Sequence, residues 1–524
     1  MMKKLSIIGV VCASIVGFSA CDEFLEEEPQ SSLTASDFYQ TEAQLEANVN
    51  YLYRTGAPTI SSSASSAYIG PFAMVPGFLT GYFTNSYEGQ ELVCQYSRLL
   101  TRQDNTMTVS ETMDEVWDAC YEAINVANAA IKYIPEVSMS ESTADQLMAE
   151  AKFFRAFNYF ILVKTFGDVP LTTEPYEELE NLYLSRTDVD EVYDVIESDL
   201  EVAVDDLPSA MFYSNGNRVT KYAAAMLLTA VYMQQGDYSN AATYARIVID
   251  SPHSLTDNDD LDSESAYNKL RSTDGLDEVI YAFEYDGSIS DSGWWPTYAF
   301  SSSAVSVFST YSIFERVYGP IDQFLNVYEE NDLRIQPNQF FHWEYTNPDT
   351  EATWSSDVAG CWYYYDEDAL LNTGYGTKDQ NIFRYAEALL DAAEAIAQTD
   401  GVTSEAAGYL AQIKARANME GKTVSEITSE LLTMGKEDFI EECWTERIRE
   451  FPLEFKIWDD CLRTLKYPVI STTEKGSVTY VDLVGAENAS GATFKSSDLL
   501  WPISINELQR NPNLTQNDGY STTS

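Results

Sequence analysis

The sequence predicts a mostly α-helical fold: stacked helical hairpins, a loop-rich part and a few short strands. Three observations carry this. Apolar residues recur at spacings of three and four through residues 109–207 and again in the second half. Two small-residue helices meet at a Gly-Asp turn, and their alanines allow close packing. Between the helical blocks the period is lost, while proline, serine and aromatic residues accumulate.

At the start of the chain, Lys3 and Lys4 precede an apolar run over 5–18. It is short for a membrane span and reads as an export signal. The string Phe18-Ser19-Ala20-Cys21 resembles a bacterial lipobox, in which the cysteine is lipidated and becomes the first residue. A cysteine carrying two or more acyl chains anchors a protein without any spanning helix. The expected organisation is a signal peptide over 1–20, a lipidated acidic tether over 21–40 and a single domain over 41–524. The alternative is an ordinary secreted protein with an incidental cysteine.

Loss of the two signal lysines takes the formal net charge from −52 to −54. This speaks against a nucleic-acid partner, which requires basic surface to displace phosphate counterions. With 45% hydrophobic and 22% charged residues, the composition is that of a globular protein despite its acidity. Beyond Cys12 and Cys21, five cysteines remain: Cys94, Cys120, Cys361, Cys443 and Cys461. An odd number without regular spacing argues against a disulfide framework or a zinc site, and Cys120 and Cys443 fall in helical patterns as buried thiols. His253 and His342 are the only histidines, which removes most zinc and Ser/His/Asp arrangements. No nucleophile elbow, zincin, Walker or dinucleotide motif is present.

Helices are expected as follows. Val109 to Ile134 steps by threes and fours and closes at Pro135, and a second helix beginning at Leu147 stops at Gly167. A third runs from Val189 to Leu207. Residues 221–250 form a pair about Gly236-Asp237, a turn that resembles that of a tetratricopeptide hairpin. Further helices are expected over 383–398, 405–419 and 436–450, so that hairpins fall mainly in 107–250 and 380–465. Segments 56–106 and 252–378 are loop-rich, with short strands over 279–285 and 340–345. Residues 281–375 hold 11 Tyr and 5 Trp, 16 of the chain's 44. Most should pack irregular loops. Adjacent Trp294 and Trp295 are harder to bury together, and an aromatic face with a polar edge suits a sugar ring or a peptide anchor.

Five blocks in order carry a family resemblance: AEAKFFRAFNYFILVKTFGDVPL (149–171), RTDVDEVYDVIESDLEVAVDDLP (186–208), NRVTKYAAAMLLTAVYMQQGDY (217–238), FRYAEALLDAAEA (383–395) and WPISINELQRNPNLTQNDGY (501–520). Together they resemble the SusD/RagB family of surface nutrient-binding lipoproteins of Bacteroidetes. The acidic CDEFLEEEP start is similar too. In ERIREFPLEFKIWDDCLRT (446–464) the chain departs from the family: Phe455 replaces a glycine and Ile457 stands where a basic residue is common, which alters a local turn.

The resemblance implies four tetratricopeptide-like hairpins, with variable loops shaping a ligand site. It implies non-catalytic capture of an oligosaccharide or polysaccharide and delivery to a partner, a SusC-like TonB-dependent outer-membrane barrel over which the lipoprotein sits as a hinged lid. The protein would be lipid-anchored in the outer membrane, facing outward. Capture of peptides on the same architecture is the alternative. A glycosidase is a further class, for which spacing alone places no carboxylate pair. No cofactor is expected, although loop acids could hold a structural calcium ion. In similar proteins the site is built from loops that here correspond to Tyr82, Asn85 and Tyr87 in GYFTNSYEG and to Trp294, Trp295 and Tyr298. Trp354, Trp362 and Tyr363 are second in rank. Arg98 or Arg102 could reach a ligand but would more readily pair with an acid.

Overall fold

The computed structural model describes residues 38–57, 74–86, 100, 113–177, 182–287, 293, 295–308 and 316–521. The signal segment, Cys21 and its tether, Tyr87, Cys94, Arg98, Arg102 and Trp294 lie outside the described residues.

The first half is a run of antiparallel helices: α1 (Glu42–Leu52), α2 (Met113–Tyr133), α3 (Glu141–Phe166), α4 (Val189–Asp206), α5 (Lys221–Gln235) and α6 (Tyr238–Ile249). Consecutive members from α2 to α6 pack on one another, and α1 leans on α2 and α3. Helix α3 begins six residues before Leu147, because Ser140 caps it by accepting from the Thr143 N–H at 3.1 Å. It runs through the middle of the stack, with Phe153, Phe154, Phe157 and Phe160 buried, each contributing about 1.5–3 kcal/mol. The Gly-Asp turn forms as expected. Gly236 ends α5 at φ +74°, a left-handed conformation that glycine adopts without a Cβ clash, and Asp237 caps α6 through the Asn240 N–H at 3.1 Å. Ala223, Ala224, Ala241 and Ala245 are buried where the two helices meet the stack.

The second helical block contains α7 (Tyr385–Asp400), α8 (Ser404–Ala417), α9 (Val424–Leu431), α10 (Lys436–Glu450) and α11 (Ile457–Thr464). Helix α7 packs against α6, α8 and α10, joining the two blocks into one stack. Sequence periodicity places the start of α7 at Phe383. In the structure Phe383 and Arg384 instead end a strand, because Val279–Phe283 (β1) pairs antiparallel with Gln380–Arg384 (β4).

The other strands form hairpins. His342–Thr346 (β2) pairs with Thr353–Gly360 (β3), and Lys466–Ile470 (β5) with Val478–Asp482 (β6). Phe83–Thr84 pairs with Gly319–Pro320. A small second core lies apart from the main one, built from Phe300, Phe308, Tyr345, Trp354, Trp362 and their aliphatic neighbours. Cys120, Cys361, Cys443 and Cys461 are buried free thiols. No described helix is long and apolar enough to cross a membrane.

Candidate functional site

The β1–β4 ribbon has different chemistry at its two ends. Glu278 and Arg384 enter a buried ionic cluster at one end, with Arg384 Nη1 to Glu278 Oε1 at 2.6 Å. At the other, Tyr285 and Asp379 flank a half-open cavity. Its wall is completed by Trp295 and Pro296 on a short helical turn, by the run Tyr363-Tyr364-Tyr365, by Asn381 of β4 and by Leu453-Glu454-Phe455, which follow α10. Gly293 and Gly376 exchange backbone hydrogen bonds at 2.8 and 2.9 Å, holding the Trp295 turn against the 370s loop. A Cβ on Gly376 would strike the Pro296 ring at 2.6 Å, so the approach requires glycine.

Trp295 lies between two rings, Tyr364 at 5.2 Å and Phe455 at 5.3 Å. The Tyr364 hydroxyl donates to the Leu453 carbonyl at 2.7 Å, and that of Tyr363 to Glu454 at 3.2 Å. These bonds fix the polar edges of the two phenols, whose rings line the cavity. Beside them Tyr365 stacks on Trp362 at 4.0 Å, and the Arg271 guanidinium lies 5.3 Å from both rings.

The polar groups are mostly acceptors. Asp379 accepts from the Tyr285 N–H at 3.1 Å and from the Tyr213 hydroxyl at 3.0 Å. Burial, reinforced by the nearby Asp274 charge, pushes its carboxyl up to about 6. Burial also raises Asp366. Asn381 is buried, and its Oδ1 has no hydrogen-bond donor among the described residues. Both cations among the described residues of the wall are engaged. Lys378 binds Asp274 at 2.9 Å and the Asp379 carbonyl at 2.8 Å. Arg271 donates to Asn268 at 2.8 Å and to the Tyr365 carbonyl at 3.0 Å, and burial lowers it to about 10. Glu454 is held by Arg384 Nη2 at 2.8 Å. Among the described residues, no group of three or more His, Cys, Asp or Glu is placed to hold a metal ion.

Of the residues expected from sequence, Trp295 and Tyr363 line this cavity. The others that are described do not. The Tyr82 hydroxyl donates to the Pro468 carbonyl at 2.7 Å and accepts from the Ile470 N–H at 3.0 Å, so this phenol is a core residue tying the Phe83–Thr84 strand to β5. Asn85 is buried two residues beyond that strand pair's start at Phe83. Tyr298 is buried edge-on to Trp295 at 5.7 Å, supporting it from behind. Trp354 and Trp362 belong to the small second core, their indole N–H groups donating to Ser303 at 3.0 Å and Asn268 at 3.2 Å. A buried Tyr or Trp whose polar tip finds an acceptor looks, in sequence, the same as one facing a ligand. Asp379, Asn381, Tyr364 and Tyr365 are not among the expected residues, and Phe455 is singled out in the sequence only for its turn. A partial signal existed in the WYYYD run at 362–366.

The molecule is thus a helical-repeat scaffold carrying an aromatic, acceptor-rich cavity on its loop side. It belongs to the SusD family. Residues 322–520 match the SusD family, and residues 23–233 match a SusD-like family described as starch-binding, associating with the outer membrane. SusD-like protein P2 of Formosa agariphila is 28% identical over 491 residues, which cover 88% of this chain and 91% of that protein. A SusD superfamily protein from Parabacteroides distasonis superposes with a TM-score of 0.76 at 26% identity, covering 91% of this chain and 99% of its own. Surface glycan-binding protein A from Bacteroides thetaiotaomicron, in complex with laminarihexaose, superposes with a TM-score of 0.68 at 18% identity, covering 91% and 100%.

Proposed function

We propose that this protein captures a neutral oligosaccharide in the Trp295 cavity without chemically altering it. The observation that carries the reading is the wall itself. Flat rings of Trp295, Tyr363 and Tyr364 stand beside a buried Asn381 oxygen that lacks a donor among the described residues, while Lys378 and Arg271 are both occupied within the protein. A ligand rich in hydroxyl donors, with apolar ring faces and no negative charge, fits that surplus of acceptors. The starch-binding description of the matching family and the laminarihexaose held by a structural relative support a glucan as this ligand.

The carboxylates of the wall favour binding over hydrolysis. Glu454 is tied to Arg384, Asp379 to Tyr213 and the Tyr285 N–H, and Asp366 to the Ala369 N–H at 2.9 Å, so each is engaged within the protein rather than standing free as half of an acid–base pair. On this reading the mature protein is held at the outer membrane by lipidated Cys21, with the acidic tether allowing movement, and passes its ligand to a SusC-like TonB-dependent barrel. The lipobox and the family's outer-membrane association support that placement.

Calorimetry with laminarihexaose and maltohexaose tests the reading. Binding should weaken about tenfold or more in Trp295→Ala. Failure of the wild-type protein to bind any neutral glucan, or sugar release from either probe, would sink it.

A further inference from the structure

We infer that Phe455 sets the depth of the cavity and, through it, the ligand preference, an inference that rests on the cavity being the glycan site. Phe455 has φ +61°, in the left-handed region that glycine tolerates and a bulky residue does not. The other described non-glycine residues at positive φ, namely Leu100, Asn217, Asn338, Glu351 and Leu465, line none of the cavities described here. Phe455 lines two. It lines the Trp295 cavity and, with Glu454, also borders a second, smaller cleft between α3, α5 and α11, whose walls include Phe157, Leu227 and Phe383.

The ring is therefore a partition between two spaces. On its upper side it backs Trp295 at 5.3 Å, and it is braced by Tyr318 at 5.2 Å. Arg384 anchors the adjacent Glu454 through Nε at 3.0 Å and Nη2 at 2.8 Å, so the backbone cannot easily swing the ring away. Glycine here would relax the backbone but remove the partition and the support behind Trp295. A strained conformation kept for the sake of one ring points to a role for that ring. With it in place the ligand lies across a shallow aromatic floor, the geometry of a linear chain. Without it the volume vacated by the ring joins the second cleft, and the deepened floor makes room for a branch.

The test compares wild type with Phe455→Gly, Phe455→Ala, Phe455→Tyr and Trp295→Ala, using laminarihexaose and a β-1,6-branched glucan oligosaccharide as probes. Phe455→Gly and Phe455→Ala should each bind laminarihexaose about tenfold more weakly and shift the ratio of affinities toward the branched probe, while Phe455→Tyr stays within about threefold of wild type. Melting temperatures supply an independent readout. Phe455→Gly should melt above Phe455→Ala, the reverse of the usual order, because only glycine relieves the positive φ. If the Gly variant does not fold, the Ala and Tyr variants carry the binding comparison. Unchanged probe ratios in the Phe455 variants, with binding lost in Trp295→Ala, would overturn this inference and leave the cavity's function standing. A wild type that binds neither probe would remove both.

Discussion

The Tyr213 hydroxyl donates to Asp379 Oδ2 at 3.0 Å, so a 3-10 turn between α4 and α5 holds the carboxylate that borders the glycan cavity. Asp379 is therefore buried by the helical stack as well as by its own loop. The consequence is a carboxyl whose folded value, about 6, lies above its ordinary 3.8. Such a group binds more protons in the folded than in the unfolded chain between those two values. Its contribution to stability thus falls as pH rises from about 4 through 6. Asp379→Asn removes the penalty and should be more stable than wild type by about 2 kcal/mol at pH 7.5, with the difference shrinking toward pH 4. Urea unfolding of both proteins across that range measures it, and parallel pH profiles would refute it.

The ionic cluster at the other end of the β1–β4 ribbon makes the opposite demand. Glu450 accepts from Arg384 at 3.1 Å, from Arg416 at 2.7 Å and from Arg334 at 3.1 Å, all of them buried. Burial pushes its neighbour Glu278 up, but Arg416 and Arg384 override this and hold it down at about 2. Glu450→Gln leaves three buried guanidinium groups short of charge and should cost about 3–5 kcal/mol. Glu405→Gln, which cuts the exposed bridge to Arg246 at 2.7 Å, should cost less than about 1 kcal/mol. Equal denaturation midpoints for the two variants would contradict the assignment. In the acid range, the Glu278 contribution is complete above its ordinary 4.5 and disappears as pH falls toward 2, a loss absent from Glu278→Gln.

This cluster also marks where sequence reading ran out. The extent of α10 was legible, because Phe439, Ile440, Cys443 and Ile448 keep a helical period. That Glu446, Arg447 and Glu450 on the same helix are buried was not, since their partners Arg334, Asp391 and Arg384 come from distant segments. The cavity shows the same limit. Trp295 stood out through its tryptophan neighbour, whereas Asp379 and Asn381 are ordinary polar residues that only the β1–β4 pairing brings against it. Tyr82 was misplaced for the complementary reason: its partners, Pro468 and Ile470, lie nearly 390 residues away along the chain.

Gly360, the last residue of β3, tests the small second core. A Cβ there would collide with the His342 ring and meet the Ala299 carbonyl at 2.5 Å. Neither neighbour is the free end of a flexible side chain, so the hairpin itself must shift. Gly360→Ala should destabilise by about 1–3 kcal/mol and quench or shift the fluorescence of Trp354, which packs 5.7 Å from His342. An unchanged melting temperature would show that the hairpin gives way freely.

The two histidines allow a test with little spectral overlap, because the chain has no others. Burial lowers both His253 and His342 to about 4, against an ordinary 6.5. His342 Nε2 lies 3.1 Å from the Ala299 carbonyl, and His253 Nδ1 lies 2.8 Å from the Ser251 hydroxyl, so each ring is held inside the fold in its neutral form. Both imidazole C2–H resonances should therefore titrate near pH 4 in the folded protein, and a midpoint near 6.5 for either would show that its ring reaches water. The unfolded chain takes up these two protons first, so the stability they contribute is present above 6.5 and lost as pH falls toward 4. That trend runs against the one from Asp379 over the same interval. Replacing both rings, in His253→Gln/His342→Asn, should leave the Asp379 trend exposed, with stability rising more steeply on acidification than in wild type.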